Sequence, residues 1–324
     1  MFAYAALDGF DIGVGCLQVF AKEDRDRRIF MNAIGPVWDS NSLWVVITSG
    51  AMLAGFPVAF ATLFSGLYLP MMGLVFGYIL RGVAIEFRSK LESARWRGIW
   101  DWVFSLSSIA LAFGYGVVLA NLIHGLPIDH QGKLLIDHKQ LITPYALLLG
   151  SFTTIMFMLH GALYLNLKTE GPLQERIRRW CWRLFGVFLL LWVIVNVNTP
   201  LMETHVTNLI RQDIWLLPLI FTGLAGIIGL YYSLSSGRDG WAFISSGCII
   251  LSLIIAYALG TYPNLVRSSL NDAYSLSIYN ASSTPFTLKI LLSIAGLGVP
   301  LFFIYMAYSY RVFKGKVELD TMSY

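Results

Sequence analysis

Residues 240–262 read GWAFISSGCIILSLIIAYALGTY, a run of 23 positions without Asp, Glu, Lys or Arg. A helix rises about 1.5 Å per residue, so a run of this length covers the roughly 30 Å hydrocarbon core of a bilayer. About 20 mostly apolar residues suffice for one crossing. The same test applied outward finds nine candidate spans at 1–21, 40–64, 65–85, 99–124, 143–167, 181–200, 214–235, 240–262 and 286–311. The chain thus reads as an all-α integral membrane protein, a single transmembrane domain over 1–324.

Composition agrees. Of the 324 residues 56% are hydrophobic and only 13% charged, with a mean hydropathy of +0.65. Soluble domains carry about 25% charged residues. The net charge of +4 is too small, and its basic residues too closely tied to apolar runs, for nucleic-acid binding. Cys16, Cys181 and Cys248 lie in or beside apolar segments, with no disulfide or metal-ligand spacing, and read as small packing residues. No basic region precedes an apolar core at the start, so no cleavable signal peptide is expected.

The basic residues give the spans a direction. If the nine alternate, one side receives 18 of the 23 Lys and Arg, in groups at 22–28, 81–97, 168–183, 238 and 311–316. The other side receives Lys133, Lys139, Arg211, Arg267 and Lys289. Cytoplasmic loops are the richer in Lys and Arg, which predicts an outer N-terminus and a cytoplasmic C-terminus. Loops are short, none longer than about 23 residues. Trp96, Trp100, Trp102, Trp180, Trp182 and Trp241 lie where an interfacial belt is expected.

Charge within a span costs roughly 2.5–3.5 kcal/mol on insertion scales and marks function by default. Asp8 and Asp11 lie three apart, hence on one helix face, in DGFDIGVG (8–15). Gly9 and Gly13 form a small-xxx-small pair that admits a close helix neighbour. A buried protonatable site and a structural pair of acids are both open readings. In GPVWDSNSLW (35–44), Asp39 reads as a helix N-cap or as the mouth of a proton path, with Trp38 and Ser40 beside it. In RGVAIEFR (81–88), Arg81 and Glu86 fall on the same side as Asp39, as an interfacial ion pair with snorkelling arginines or as part of that mouth.

The histidines argue against a haem protein. His124 and His160 sit at different depths of their helices, and His130, His138 and His205 fall near the outer surface. His160 is expected to be a hydrogen-bonded polar residue. There is no CxxCH, no Walker A run, no HExxH and no triad spacing. No metal site and no catalytic residue is expected in this chain.

These motifs, together with RWRGIWDW (95–102), Tyr262–Pro263 and NASS (280–283), closely resemble the cytochrome bd quinol oxidase subunit II family over essentially the whole chain. The resemblance implies a bacterial inner-membrane, multi-pass subunit that forms a heterodimer with a haem-bearing subunit I. That complex oxidises quinol and reduces dioxygen to water, with haems b and d in subunit I. It leaves room for a small accessory subunit and for a quinone in this chain. It also implies a proton pathway through Asp39, Arg81 and Glu86, with Trp38 and Ser40 supporting; the buried acids Asp8 and Asp11 then either act deeper or only pack. Ser40 and Ser42 depart from the family's usual Gly and Glu or Gln, and Glu86 stands where some members have Asp. Two rivals are a transporter and a purely structural partner. The first would show inverted repeats with interrupted helices, which the sequence lacks.

Overall fold

The computed structural model describes residues 1–203 and 216–319. His205 and Arg211 lie outside the described residues. Eleven helices are described: α1 (Phe2–Leu17), α2 (Asp24–Ile34), α3 (Trp38–Gly55), α4 (Pro57–Gly66), α5 (Tyr68–Phe87), α6 (Ala94–His124), α7 (Pro144–Lys168), α8 (Gly171–Met202), α9 (Leu216–Ser236), α10 (Asp239–Thr261) and α11 (Pro285–Val312). Among the described residues six, α5–α8, α10 and α11, are long and apolar enough to cross a membrane, and the α3–α4 pair makes a seventh if it is one span.

That pair departs from the expected straight span at 40–64. The chain bends by 118° between α3 and α4. Pro57 has no N–H to donate back along the helix, and proline disfavours a helical conformation in the residue before it. Phe56 accordingly leaves the helix at φ −137°, ψ 60° after its own N–H closes on the Met52 carbonyl at 2.8 Å. Residues 24–34 also fold where a loop was expected. Helix α2 buries Phe30, Met31 and Ile34 against the bundle.

Helix α7 is the centre of the bundle and packs against α1, α6, α8 and α10. Glycine permits this. A Cβ on Gly13 would overlap the Phe157 carbonyl of α7, and one on Gly161 would overlap the backbone of Gly13. Of the Gly9/Gly13 pair, Gly13 brings the two backbones together, while Gly9 makes room for the Phe157 ring. Gly116 of α6 meets α7 at Leu149 and Gly150 in the same way. At the other extreme, α11 rests on α3 through Trp44, Phe302 and Phe303, and only 6% of its apolar stretch is buried within the chain.

The loops sort into two ends. One gathers the basic groups: Arg176 pairs with Asp26 (2.7 Å), Arg88 with Asp24 (2.6 Å), Lys168 Nζ reaches the Phe313 carbonyl (2.6 Å), and Arg178 reaches that of Leu234 (3.4 Å). The other carries a small apolar cap. There Leu126, Ile128, Leu134, Val266 and Leu276 pack on Ala59 and Leu63 of α4. A two-stranded pair, Asn264–Val266 with Leu276–Ser277, adds to an otherwise helical fold.

Gly13→Leu should lower the thermal stability of the detergent-purified protein by more than the about 1–3 kcal/mol usual for an overpacked core. Gly186→Leu, with no atom within 4 Å of the added Cβ, should leave it unchanged. The temperature of aggregation, followed by size-exclusion chromatography, distinguishes them.

Candidate functional site

Asp8 and Asp11 of α1 are fully buried. Asp8 Oδ1 accepts from Arg81 Nη2 at 2.5 Å and from Ser42 Oγ at 3.1 Å. Arg81 Nη2 also donates to Ser42 Oγ at 3.0 Å. The Tyr78 hydroxyl donates to Asp8 Oδ2, and the Arg81 guanidinium lies 5.2 Å from the centre of the Tyr78 ring. Three helices, α1, α3 and α5, therefore converge on one carboxylate. Asp11 is one turn along: its Oδ2 accepts from Asn41 Nδ2 at 2.8 Å, and Tyr310 of α11 donates to Asn41 Oδ1 at 2.8 Å.

The sequence-derived residues divide. Arg81 is fully buried, not snorkelling, and its partner is Asp8. Asp39 is exposed on the first turn of α3. No side chain caps that helix, so Asp39 is not its N-cap; it still lies where the helix dipole favours an anion. Among the described residues no hydrogen bond joins Asp39 to Arg81. Ser40 Oγ bonds locally to the Val37 carbonyl at 2.9 Å. The Trp38 ring packs on Gly82, where a Cβ would sit 3.3 Å from it. Glu86 is half-buried, further along α5 toward the basic end.

Several polar residues escaped the sequence reading. Tyr4 OH donates to Tyr115 OH at 2.6 Å, and Tyr78 OH lies 3.1 Å from Tyr4 OH, so three tyrosines adjoin Asp8. At the basic end Asp101 accepts from Gln18 Nε2 (2.8 Å), Arg88 Nε (2.7 Å) and Arg27 Nη1 (3.2 Å). The only sequence signal for these groups was that buried arginines need acids; which acid, and across which helices, had no local trace.

His160 has both ring nitrogens engaged, Nδ1 with Ser246 Oγ at 2.7 Å and Nε2 with the Ala6 carbonyl at 2.9 Å, and its ring stacks on Phe243 at 4.6 Å. It would lose one of these bonds to ligate a haem iron. His124 Nδ1 pairs with Glu203 Oε1 at 2.7 Å.

Asp8→Leu strands the Arg81 guanidinium without its anion and should destabilise the protein by about 3–5 kcal/mol, the usual effect of breaking a buried pair. Removing both charges, Asp8→Leu with Arg81→Leu, should recover most of that loss. Paired thermal-aggregation measurements read the difference.

Known proteins share this architecture and sequence. A family model for cytochrome bd terminal oxidase subunit II matches residues 1–313. The chain is 33% identical to cytochrome bd ubiquinol oxidase subunit 2 of Bacillus subtilis (strain 168), over 96% of this chain and 92% of that one. It is 30% identical to cytochrome bd-I ubiquinol oxidase subunit 2 of Escherichia coli (strain K12), over 100% of this chain and 95% of that one. Its fold is similar to a chain in the structure of the bd oxidase from Geobacillus thermodenitrificans, with a TM-score of 0.76 at 18% identity, covering 96% of this chain and 94% of that chain. On the whole-chain family match and the two curated relatives, the chain belongs to the cytochrome bd terminal oxidase subunit II family.

Proposed function

We propose that this multi-pass inner-membrane subunit pairs with a haem-bearing subunit I, and that the complex oxidises quinol and reduces dioxygen to water. Haems b and d belong to subunit I in this reading. The doubly bonded His160 supports it, because this chain offers no ready axial ligand at that position. A quinone in this chain and a small accessory subunit are compatible with it. A transporter has no support from the family match.

Nine crossings follow if α1, α3 and α5–α11 each span the bilayer and α4 lies in the outer cap. The sorting of loops into a basic end and an apolar-capped end supports this count. It also supports a cytoplasmic C-terminus, with the basic end facing the cytoplasm.

The subunit's own chemistry is proton delivery. The observation that carries this is the buried Asp8–Arg81 pair with Asp11 one turn away. One guanidinium faces two carboxylates, so the site can take up and release a proton while one charge remains paired. Asp39 is the mouth. Ser42, three residues on and on the same helix face, bonds Asp8, and Asn41 bonds Asp11. Glu86 adds an acid on the basic side, while Trp38 and Ser40 hold the start of α3. Protons drawn from the cytoplasm for water formation would move charge across the membrane, worth about 2.3 kcal/mol per charge per 100 mV. A purely structural subunit would use the same acids only as ties.

Asp39→Asn in the two-subunit complex, reconstituted in vesicles, should slow proton uptake and oxygen consumption by about 10-fold or more. Unchanged uptake and turnover would remove Asp39 from the route. Gentle detergent purification should bring this chain out with a larger polypeptide carrying the haem signals of a reduced-minus-oxidised spectrum. A chain that emerges alone, without haem or oxidase activity, would overturn the assembly.

A further inference from the structure

Helices α1, α5 and α6 share a polar seam. On α6, Asp101, Ser105, Ser108, Ala112 and Tyr115 recur every three or four residues and so lie on one face. Arg88, Ala84, Arg81 and Tyr78 do the same along α5 and just past its end, as do Gln18, Gly15, Asp11, Asp8 and Tyr4 along α1 and its extension. Contacts join the same three helices at both ends of the seam. At the basic end Asp101 binds Gln18 and Arg88; at the far end Tyr4, Tyr78 and Tyr115 form one hydroxyl cluster. Between them Gly15 faces Ser108, and Arg81 binds Asp8.

The stretch between the two ends is polar but not self-satisfied. Gln18 Oε1, Arg88 Nη1, Ser105 Oγ, and both Nε and Nη1 of Arg81 are buried with no hydrogen-bond partner among the described residues. Their side chains are 0–1% exposed. Buried polar groups are satisfied by protein or by ordered water, and a buried water usually makes about three such bonds. Five unpartnered atoms on three helices, one helical turn or two apart, offer water successive partners. Asp11 Oδ1, on the same seam, is a sixth; the others among the described residues, Trp100 Nε1, Asn166 Oδ1 and Asp239 Oδ1, are scattered.

We propose that this seam is a water-and-hydroxyl proton file inside the subunit. It begins at the Gln18–Arg88–Asp101 knot, passes Ser105 and Arg81 through bridging water, reaches Asp8, and continues through Tyr78, Tyr4 and Tyr115. This rests on the proton-delivery reading above and gives it an inlet separate from Asp39. Each hop moves one proton along a hydrogen bond. Asp8 takes a proton from water on the Arg81 side and passes one to Tyr78; Tyr78 passes its own to Tyr4, and Tyr4 to Tyr115. Tyr115, part-exposed on α6, passes one to an acceptor of the partner subunit. Only O–H bonds break and form, and the chain returns to its starting charge. Asp8 and Asp11 together outnumber Arg81, so its charge does not close the file to protons.

Two measurements on the intact two-subunit complex test this. A high-resolution map should show ordered water within hydrogen-bond distance of Ser105 Oγ and Arg81 Nη1. A dry seam overturns the proposal whatever becomes of Asp39. In vesicles, Ser105→Ala and Tyr78→Phe, each removing one hydroxyl, should slow proton uptake by about 10-fold. Both should enlarge the solvent deuterium isotope effect, which altered packing alone would not. Tyr145→Phe, whose hydroxyl bonds Thr199 outside the seam, is the control. If Asp39→Asn slows uptake and the two seam variants do not, the file is refuted and the Asp39 route stands. If Asp39→Asn, Asp8→Asn and both seam variants leave uptake unchanged, proton delivery by this subunit fails and the file with it.

Discussion

A guanidinium with no exposure to solvent, inside a bundle built for lipid, has to find its counter-ion within the chain. Arg81 finds Asp8, and the rest of the inner architecture follows from that pair. Asp8 belongs to α1, Arg81 to α5, and the Ser42 hydroxyl that touches both belongs to α3. Sliding any of these helices by one turn would separate charges that have no alternative solvation. The pair therefore sets register, which apolar packing between smooth helices does weakly. Asp11, Asn41 and Tyr310 extend the same tie to α11, a helix that otherwise has little contact with its own chain.

Close approach makes these short bonds attainable. Gly13 and Gly161 let α1 and α7 touch along their backbones, so α1, with 16 residues and two acids, lies inside the bundle and not at its rim. Van der Waals contact drives helix association in lipid, because burial of apolar surface gains nothing there over lipid contact. The basic end is tied differently. Asp101 accepts from three side chains on separate segments, and Asp26 binds Arg176 of α8. A polar knot at one end, an apolar cap at the other and a buried pair between them hold the spans together.

The proposed division of chemistry in the complex rests on the polar groups that this chain buries. It is rich in buried acids with hydroxyl neighbours, while the histidine best placed to serve a haem is doubly bonded. In the proposed reading such a subunit moves protons and supports a partner that carries the redox centres. The exposed flanks of α11 and the exposed Asp39 show how much of its surface is left for lipid and for that partner.

Much of this was legible in the sequence, because lipid imposes local rules. Span length, the clustering of Lys and Arg in alternate loops, the Gly9/Gly13 spacing and the oddness of Asp8 and Asp11 in an apolar run each depend on neighbouring residues. Even the bend within 40–64 had a local sign in Pro57, though its 118° angle did not. The pairings were not legible. Arg81 and Asp8 are 73 positions apart and Gln18 and Asp101 are 83 apart, and no periodicity links them. Arg81 read as a companion of Asp39 and Glu86 because they share a side of the membrane. Only the tertiary structure turned it toward Asp8, and only it assembled Tyr4, Tyr78 and Tyr115 from three helices. The sequence alone determined that buried charges must be compensated inside the chain, since lipid cannot solvate them. Which residue compensates which was decided by the packing of α1, α5 and α6, because that depends on where distant backbones can approach.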